Sequence, residues 1–497
     1  MGIAQRTVKG MIWAYAAYWG KRLFSVATTA ILARILVPED FGLIGFALLL
    51  LNFVDALRSF GINDALIYNT ERPEDTTETA FIFNTAIGLG QGILTFALAP
   101  LSLLIFDDPR LVDIIRVMSV GFVFTGLGQT HSTLMQKELQ FRRRFGPDIV
   151  ASILKGGISI TLALFGLNVW SLVLGHVAGS LINTVVLWAV LPWRPRFRFF
   201  ADRARSLWAY GVHILTFEIL QIALDQADQL FIGVLLGAVQ LGYYSIAARL
   251  PELVIANFSM VLTTVLFPTY AKLKDDRDAL ITGYLKTTKY SAFVTVAAGC
   301  GMAAVAPELV RVVFGSQWTP AIILLQVLAF LGLVLALPWA AGDVFKAVGR
   351  PDIPVKLMLI ESIYTFPLIW IMASRSGLAV MASLANLIAA VITVFLRLGV
   401  LSRYLKLNPI RYFGAFSASF LGGALMYGAV TGWRLLLASL PDIVVLISSV
   451  LVGAVVYGLT LFLLERKDLI EAWQIVSGII RQRMARGSEE QAAAVEP

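Results

Sequence analysis

The sequence predicts an all-α integral membrane protein, and three observations carry that prediction. Hydrophobic residues make up 58% of the 497 and charged residues only 14%, where soluble chains carry roughly 25% charge. Apolar stretches of the roughly 20 residues needed to cross a bilayer recur from end to end. The charges gather in short loops between these stretches, and no polar block is long enough to make a soluble domain.

Backbone polar groups in lipid must bond within their own segment, so each apolar stretch reads as a helix. About fourteen spans can be placed, at residues 12–35, 41–62, 79–105, 111–133, 147–166, 169–191, 208–235, 242–266, 284–306, 320–344, 355–373, 377–400, 411–431 and 442–464. The polar segment 4–9 is short and the first apolar run is long enough to span. The first helix is therefore expected to act as its own insertion signal, with no cleaved leader. Of the 40 Lys and Arg, 29 lie in alternate loops, at the span ends beside them or in the two termini. The remaining loops hold Arg34, Arg110, Arg311, Arg375 and Arg434. The excess of positive charge marks the cytoplasmic side, so both termini are expected in the cytoplasm, and the net charge of +8 is explained by topology rather than by nucleic acid.

An internal repeat is present. Leu36-Val37-Pro38-Glu39-Asp40-Phe41-Gly42 parallels Leu236-Gly237-Ala238-Val239-Gln240-Leu241-Gly242, each a short outer turn between two spans. Phe106 before the fourth span parallels Phe314 before the tenth, and Gly166-Leu167 parallels Gly377-Leu378. The expected architecture is two six-helix lobes related by a pseudo-two-fold axis, plus two C-terminal helices, with the site between the lobes. The N-lobe would be 1–191, a basic cytoplasmic linker 192–207, the C-lobe 208–400, the last two helices 401–464, and the cytoplasmic tail 465–497. Within the tail, Leu469 to Ile480 reads as an amphipathic surface helix, and the end from Gly487 has the composition of a disordered segment.

Four local words carry a family resemblance. They are Leu32-Ala33-Arg34-Ile35 with Phe41-Gly42-Leu43; Leu134-Met135-Gln136-Lys137-Glu138-Leu139-Gln140-Phe141; Leu266-Phe267-Pro268 with Ala271-Lys272 and Asp275-Asp276; and Phe314-Gly315 with Trp318. With the architecture, they resemble the Wzx-type polysaccharide flippases of the multidrug/oligosaccharidyl-lipid/polysaccharide exporter superfamily, in particular the colanic-acid exporter branch. The likeness runs over most of residues 1–400. It implies a V-shaped, two-lobed fold in a bacterial inner membrane and alternating access. It also implies an undecaprenyl-pyrophosphate-linked sugar repeat unit as substrate, and a polysaccharide polymerase and chain-length regulator as partners. It supplies no shared catalytic signature, so site residues are read from physics.

Ionisable groups inside spans cost roughly 2.5–3.5 kcal/mol at a helix centre and face the bundle interior. The basic set is Lys21, Arg22, Arg58, Arg116, Lys155 and Arg249; the acidic set is Asp55, Glu218, Asp225, Asp228, Glu252 and Glu361. They fall on stripes at helical spacing. One holds Tyr15, Trp19, Arg22, Ser25 and Thr29; a second Asn52, Asp55 and Arg58; a third Ser152, Lys155 and Ser159. Two more hold Glu218, Gln221, Asp225 and Asp228, and Ser245, Arg249 and Glu252. Lys21, Arg22, Arg58, Lys155 and Arg249 are candidates to recognise pyrophosphate and acidic sugars, because cationic side chains, and arginine's planar fork above all, suit phosphate oxygens. The other reading pairs them within the bundle, for example Arg58 with Asp55 or Arg22 with Glu218. Tyr15, Tyr18 and Trp19 could stack on sugar rings or pack. Glu218, Asp225, Asp228, Glu252 and Asp55 are coupling candidates, able to exchange H⁺ or bind Na⁺; the alternative places Asp225 and Asp228 in a wet outer vestibule. Arg116 is expected to snorkel.

No metal or other cofactor is expected. His131, His176 and His213 lie on different spans without metal-ligand spacing and read as packing residues, with His213, close to Glu218, the one of interest. The single cysteine, Cys300, excludes a disulfide framework. Gly88, Gly90 and Gly92 lack the strand–turn–helix setting of a phosphate loop and read as helix-packing positions. Pro251 and Pro338 predict kinks. Three other functions are weighed. A cation-coupled drug antiporter shares the fold but wants a more acidic cavity. A membrane polymerase or ligase wants a large outer loop, which is missing. A scaffold has no need of polar seams.

Overall fold

The computed structural model describes residues 3–56, 63, 66, 73–104, 106, 108–138, 140–196, 198, 200, 221–471 and 474, with side chains from Trp19 onward except at 73, 141–142, 256–257 and 259–265. The apolar runs form helices because the backbone can close its own hydrogen bonds there. The elements are α1 (Ile3–Ile35), α2 (Pro38–Ala56), α3 (Pro73–Leu98), α4 (Arg110–Lys137), α5 (Phe141–Leu164), α6 (Val169–Val190), α7 (Ala227–Pro251), α8 (Asn257–Leu273), α9 (Arg277–Val313), α10 (Ala321–Ala336), α11 (Trp339–Ala347), α12 (Asp352–Ser376), α13 (Ala379–Leu405), α14 (Pro409–Leu436) and α15 (Asp442–Leu464). No strand occurs among the described residues.

Eleven helices of the described residues are long and apolar enough to cross a membrane. The helices α1 and α2 are not among them. The first carries the aromatic and cationic seam expected at Trp19, Lys21 and Arg22, and the described part of the second holds Glu39, Asp40 and Asp55 within 19 residues. Residues 208–220 of the expected span 208–235 lie outside the described residues, as do most of the 192–207 linker and the tail beyond Glu471 apart from Gln474.

Both prolines singled out in the sequence interrupt helices. A π-helical turn, Glu252–Ala256, follows Pro251, and Pro338 separates α10 from α11. Lost amide donors at these positions explain both breaks. Gly88 packs on α4 so closely that a Cβ there would lie 2.7 Å from the Phe122 carbonyl oxygen; Gly92 is nearly as close, whereas Gly90 faces open space.

The chain falls into two compact units. The first gathers Met1–Leu250, Val313–Leu324 and Val355–Ala389; the second gathers Pro251–Val312, Leu325–Pro354 and Ala390–Pro497.

The internal repeat is visible inside the first unit. The helix α7 turns sharply at Gly237, with φ 83° and ψ −178°, a conformation that glycine adopts freely. Its second arm then crosses α2. A Cβ on Gly42 would fall 1.8 Å from the Ala238 carbonyl oxygen, and one on Gly242 would fall 1.9 Å from that of Pro38. Each contact is the other shifted by 200 residues, the reciprocity that a two-fold axis produces. Gly45 faces the hydroxyl of Ser245, its own repeat equivalent. The next layer follows the same rule. The Asp40 carboxylate accepts from the backbone N–H of Val169, and Gln240 Oε1 accepts from that of Ala379 at 3.2 Å. Both donors begin helices just after the positive-φ glycines 166 and 377.

The first and fourth resemblance words meet at this joint. The fully buried Trp318 donates its indole N–H to the Ala33 carbonyl at 2.7 Å. Phe41 and Tyr243 lie edge-on to its ring, at 5.3 and 5.9 Å.

In the second unit, Lys289 pairs with both Glu465 and Asp468 at 2.7 Å, and Lys286 with Glu471 at 2.6 Å, which holds the start of the tail against α9. Arg434 and Arg311 share the buried Glu308, and Arg311 also reaches Asp442 at 2.8 Å.

Candidate functional site

The site is built by small residues that bring α1, α5 and α6 together. A Cβ on Gly156 of α5 would meet the Thr28 hydroxyl of α1 at 2.6 Å. Gly175 and Gly179 of α6 face Ser159 and the stem of Lys155 on α5. Such spacing lets backbones approach closely in lipid. Lys155 is thereby laid along Gly179 with its ammonium 3.4 Å from His176 Nδ1. Its side chain stays exposed although protein surrounds it on most sides, and Lys21 and Arg249 act on it as like charges. Among the described residues no carboxylate pairs with Lys155.

Lys21, one helix away, lies 4.0 Å from Asp148, and Asp148 also accepts from the Asn183 amide at 2.8 Å. Arg22 and Arg249 are half-buried. Of the cationic candidates, Lys21 and Arg249 thus lie near enough to Lys155 to act on it as like charges, while Lys21 has its weak contact with Asp148 and Arg22 and Arg249 engage neighbours of their own. Trp19 is half-buried on the same helix, and Tyr15 lies a turn before it on α1. Arg58 and Glu218, and hence the pairings suggested for them, lie outside the described residues, as does His213.

The acidic candidates separate into different environments. Asp228 is 3% exposed. Its carboxylate accepts from the Tyr244 hydroxyl, from the Asn386 amide at 2.9 Å and from the Gln229 backbone N–H at 2.9 Å. It is therefore a buried anchor tying the two arms of α7 to α13, not a group in a wet vestibule. Asp225 is exposed and takes both bonds from Gln221, at 2.8 and 2.9 Å. Asn52, on the stripe that includes Asp55, donates to Gln226 at 3.2 Å; Asp55 itself is half-buried. Glu252 is exposed in the π-helical turn of the second unit. Arg116 lies 3.9 Å from Asp113 and over the Phe96 ring.

His131 packs as expected, stacked 4.7 Å from Trp188 and bonded to the Trp193 carbonyl. His176 does not; it touches the site. The word Gly175-His176-Val177-Ala178-Gly179 is the signal that places it, since two glycines four apart mark the packed face and the histidine rides beside it. Asp148 extends the stripe of Ser152, Lys155 and Ser159 by one turn. Asn386 is a lone amide in an apolar span, the kind of residue that needs a buried partner. No group of metal-ligating side chains occurs among the described residues.

Helices paired about a local two-fold axis, with polar side chains gathered inside apolar spans, define a multi-pass transporter fold. The lipid II flippase MurJ in an inward closed conformation shares it, with TM-score 0.74 at 16% identity over 92% of this chain and 100% of that one. An inward-facing multidrug MATE transporter of the MOP superfamily matches with TM-score 0.60 at 13% identity over 78% and 95%.

The chain belongs to the polysaccharide biosynthesis protein family, whose model matches residues 31–323. It is similar to the lipopolysaccharide biosynthesis protein WzxC of Escherichia coli, 25% identical over 90% of this chain and 88% of that one. It is also similar to the teichuronic acid biosynthesis protein TuaB of Bacillus subtilis, 25% over 75% and 78%, and to the succinoglycan biosynthesis transport protein ExoT of Rhizobium meliloti, 26% over 73% of each. It is thus a multi-pass protein of the bacterial inner membrane.

Proposed function

We propose that this protein carries undecaprenyl-pyrophosphate-linked oligosaccharide repeat units from the cytoplasmic to the periplasmic leaflet by alternating access, making and breaking no covalent bond. The observation that carries the reading is the accessible cation group around Lys155, with Lys21 and Arg249 as like-charged neighbours. A cavity lined this way attracts a pyrophosphate, whose charge offsets the mutual repulsion of the cations. Arg22 and Arg249 add forked donors, and Trp19 with Tyr15 extends the same helix toward the sugars. The polyprenyl tail stays in lipid.

In this reading the fourteen spans leave both termini in the cytoplasm. The crossed turns at 36–42 and 236–242 form the periplasmic seal. Opening it separates two close backbone contacts, each between a glycine and a carbonyl. Asp228 serves that seal as a fixed anchor, and the accessible Asp225 is the better coupling candidate for H⁺ or Na⁺, with Glu218, Glu252 and Asp55 as the other candidates. The likeness to proteins of lipopolysaccharide, teichuronic acid and succinoglycan biosynthesis, and to the fold of a lipid II flippase, supports a lipid-linked sugar as cargo. A polymerase and a chain-length regulator are the expected partners downstream.

The test is headgroup accessibility in proteoliposomes that hold the purified protein and extracted lipid-linked oligosaccharide. Translocation should depend on protein and fall about tenfold in Lys155→Ala, equivalent to about 1.4 kcal/mol. Absence of translocation with every gradient and several sugar donors would overturn the proposal and turn attention to export of soluble small molecules.

A further inference from the structure

A second basic cavity lies in the other unit, far in sequence from Lys155. Its volume is about 560 Å³ and it is lined by the loop after α8, the end of α11 and the end of α13. Three cations, Lys274, Arg277 and Lys346, face one carboxylate, Asp275, across it. Arg277 Nε donates to the Leu405 carbonyl at 2.9 Å, which fixes the guanidinium at the rim with its two terminal amino groups uncommitted to any carboxylate among the described residues. Lys346 reaches only as far as the buried Asp343, at 3.7 Å. The 37-residue helix α9 begins at Arg277; its own first turn is capped by Asp276, which accepts from the Ala279 N–H at 3.0 Å, so the three cations rather than the helix end supply the positive charge. Gly349, at φ 77°, ends the neighbouring helix and leaves open space where a side chain would stand.

The size and the surroundings favour a lipid over a small ion. At roughly 30 Å³ per water the cavity of about 560 Å³ holds the equivalent of about 19 waters, room for a glycerophosphate headgroup and far more than a phosphate needs. An apolar strip leads away from it. Leu405 lines the cavity, and Ile410, at the start of the next helix, is 78% exposed. Phe395 and Phe413 are exposed and lie ring to ring at 5.9 Å. Phe395 stands ten residues before Leu405, about 15 Å along the helix at 1.5 Å per residue, within the length of an acyl chain.

The geometry points to a binding site for the phosphate headgroup of an anionic phospholipid, held by Lys274, Arg277 and Lys346 with its acyl chains on the Phe395–Phe413 face. Basic pockets between helix ends on the cytoplasmic side suit such headgroups. A lipid bound there ties the ends of α8, α11 and α13 together, independently of which cargo the protein carries.

The experiment is native mass spectrometry of the full chain in mild detergent, titrated with phosphatidylglycerol or phosphatidylcholine, with inorganic phosphate as competitor. Wild type should hold phosphatidylglycerol in preference to phosphatidylcholine, and millimolar phosphate should leave it bound. The triple variant Lys274→Gln, Arg277→Gln, Lys346→Gln should bind roughly a hundredfold more weakly, since each near-surface cation contributes severalfold. A double variant that spares Arg277 and its bond to Leu405 should lose about tenfold, and it decides the matter if the triple variant is misfolded by circular dichroism. Removing the same charge at Arg143, Arg198 and Lys467 should change nothing. Equal binding of the two lipids, unchanged binding in the double variant, or an equal loss in the charge-matched control would overturn the proposal. Displacement by inorganic phosphate would overturn it in favour of a free-anion site.

Discussion

Lys155 and Asp228 are both charged groups set into apolar helices of the same unit, and the fold treats them in opposite ways. Asp228 is buried and takes three hydrogen bonds, from a tyrosine, an asparagine and a backbone amide. Lys155 remains exposed, touches one imidazole and faces two further cations. A satisfied buried charge is costly to disturb and has little capacity left for a ligand. An enclosed but accessible cation with like-charged neighbours has most of its capacity unspent. Accessibility and partner count thus separate anchor from binding group where residue type and helical position alone do not.

The comparison breaks most sharply at the anchor. Asp228→Ala should lower stability by about 3 kcal/mol, because it removes the buried acceptor shared by the Tyr244 hydroxyl, the Asn386 amide and the Gln229 N–H; thermal unfolding in detergent checks this. Tyr244→Phe removes one of the three bonds and should cost about 1–1.5 kcal/mol by the same measurement. At the binding group the order reverses. Lys155→Ala should leave unfolding within about 0.5 kcal/mol of wild type while cutting translocation, and Lys155→Arg should restore most of it. A full anchor-like loss of stability in Lys155→Ala would erase the distinction.

An ion pair outside the spans gives the smallest effect. The Lys289 ammonium beside Asp468 holds that carboxyl below its usual range. A depressed folded pKa contributes stability above the ordinary value of about 3.9, and that contribution is lost only as pH falls through the folded value. Hydrogen exchange of residues 466–471, corrected for intrinsic rates, should therefore stay constant from pH 7 to 5. Asp468→Asn should raise it severalfold at pH 7.

Much of this architecture was legible in the sequence. Composition and span length predict the helices, and the 36–42 and 236–242 turns predict the repeat whose reciprocal glycine contacts the structure displays. The polar stripes place Lys155 and Asp228 in their helices but leave their fates undecided. Periodicity reports which face of a helix is polar, while the partner of a buried group comes from another helix, as Asn386 does for Asp228 across 158 positions. His176 escaped the sequence reading for the same reason. Its relation to Lys155 is set by how closely α5 and α6 approach at Gly175 and Gly179, a packing distance that the search for metal-ligand spacing does not see.

The most direct test of the central claim is translocation of a pyrophosphate-linked oligosaccharide by Lys155→Glu in proteoliposomes, measured beside Lys155→Arg at matched thermal stability. The account predicts that reversing the charge abolishes translocation while the arginine variant stays active. Equal activity in the two variants would contradict it and remove the cation group from the path of the cargo.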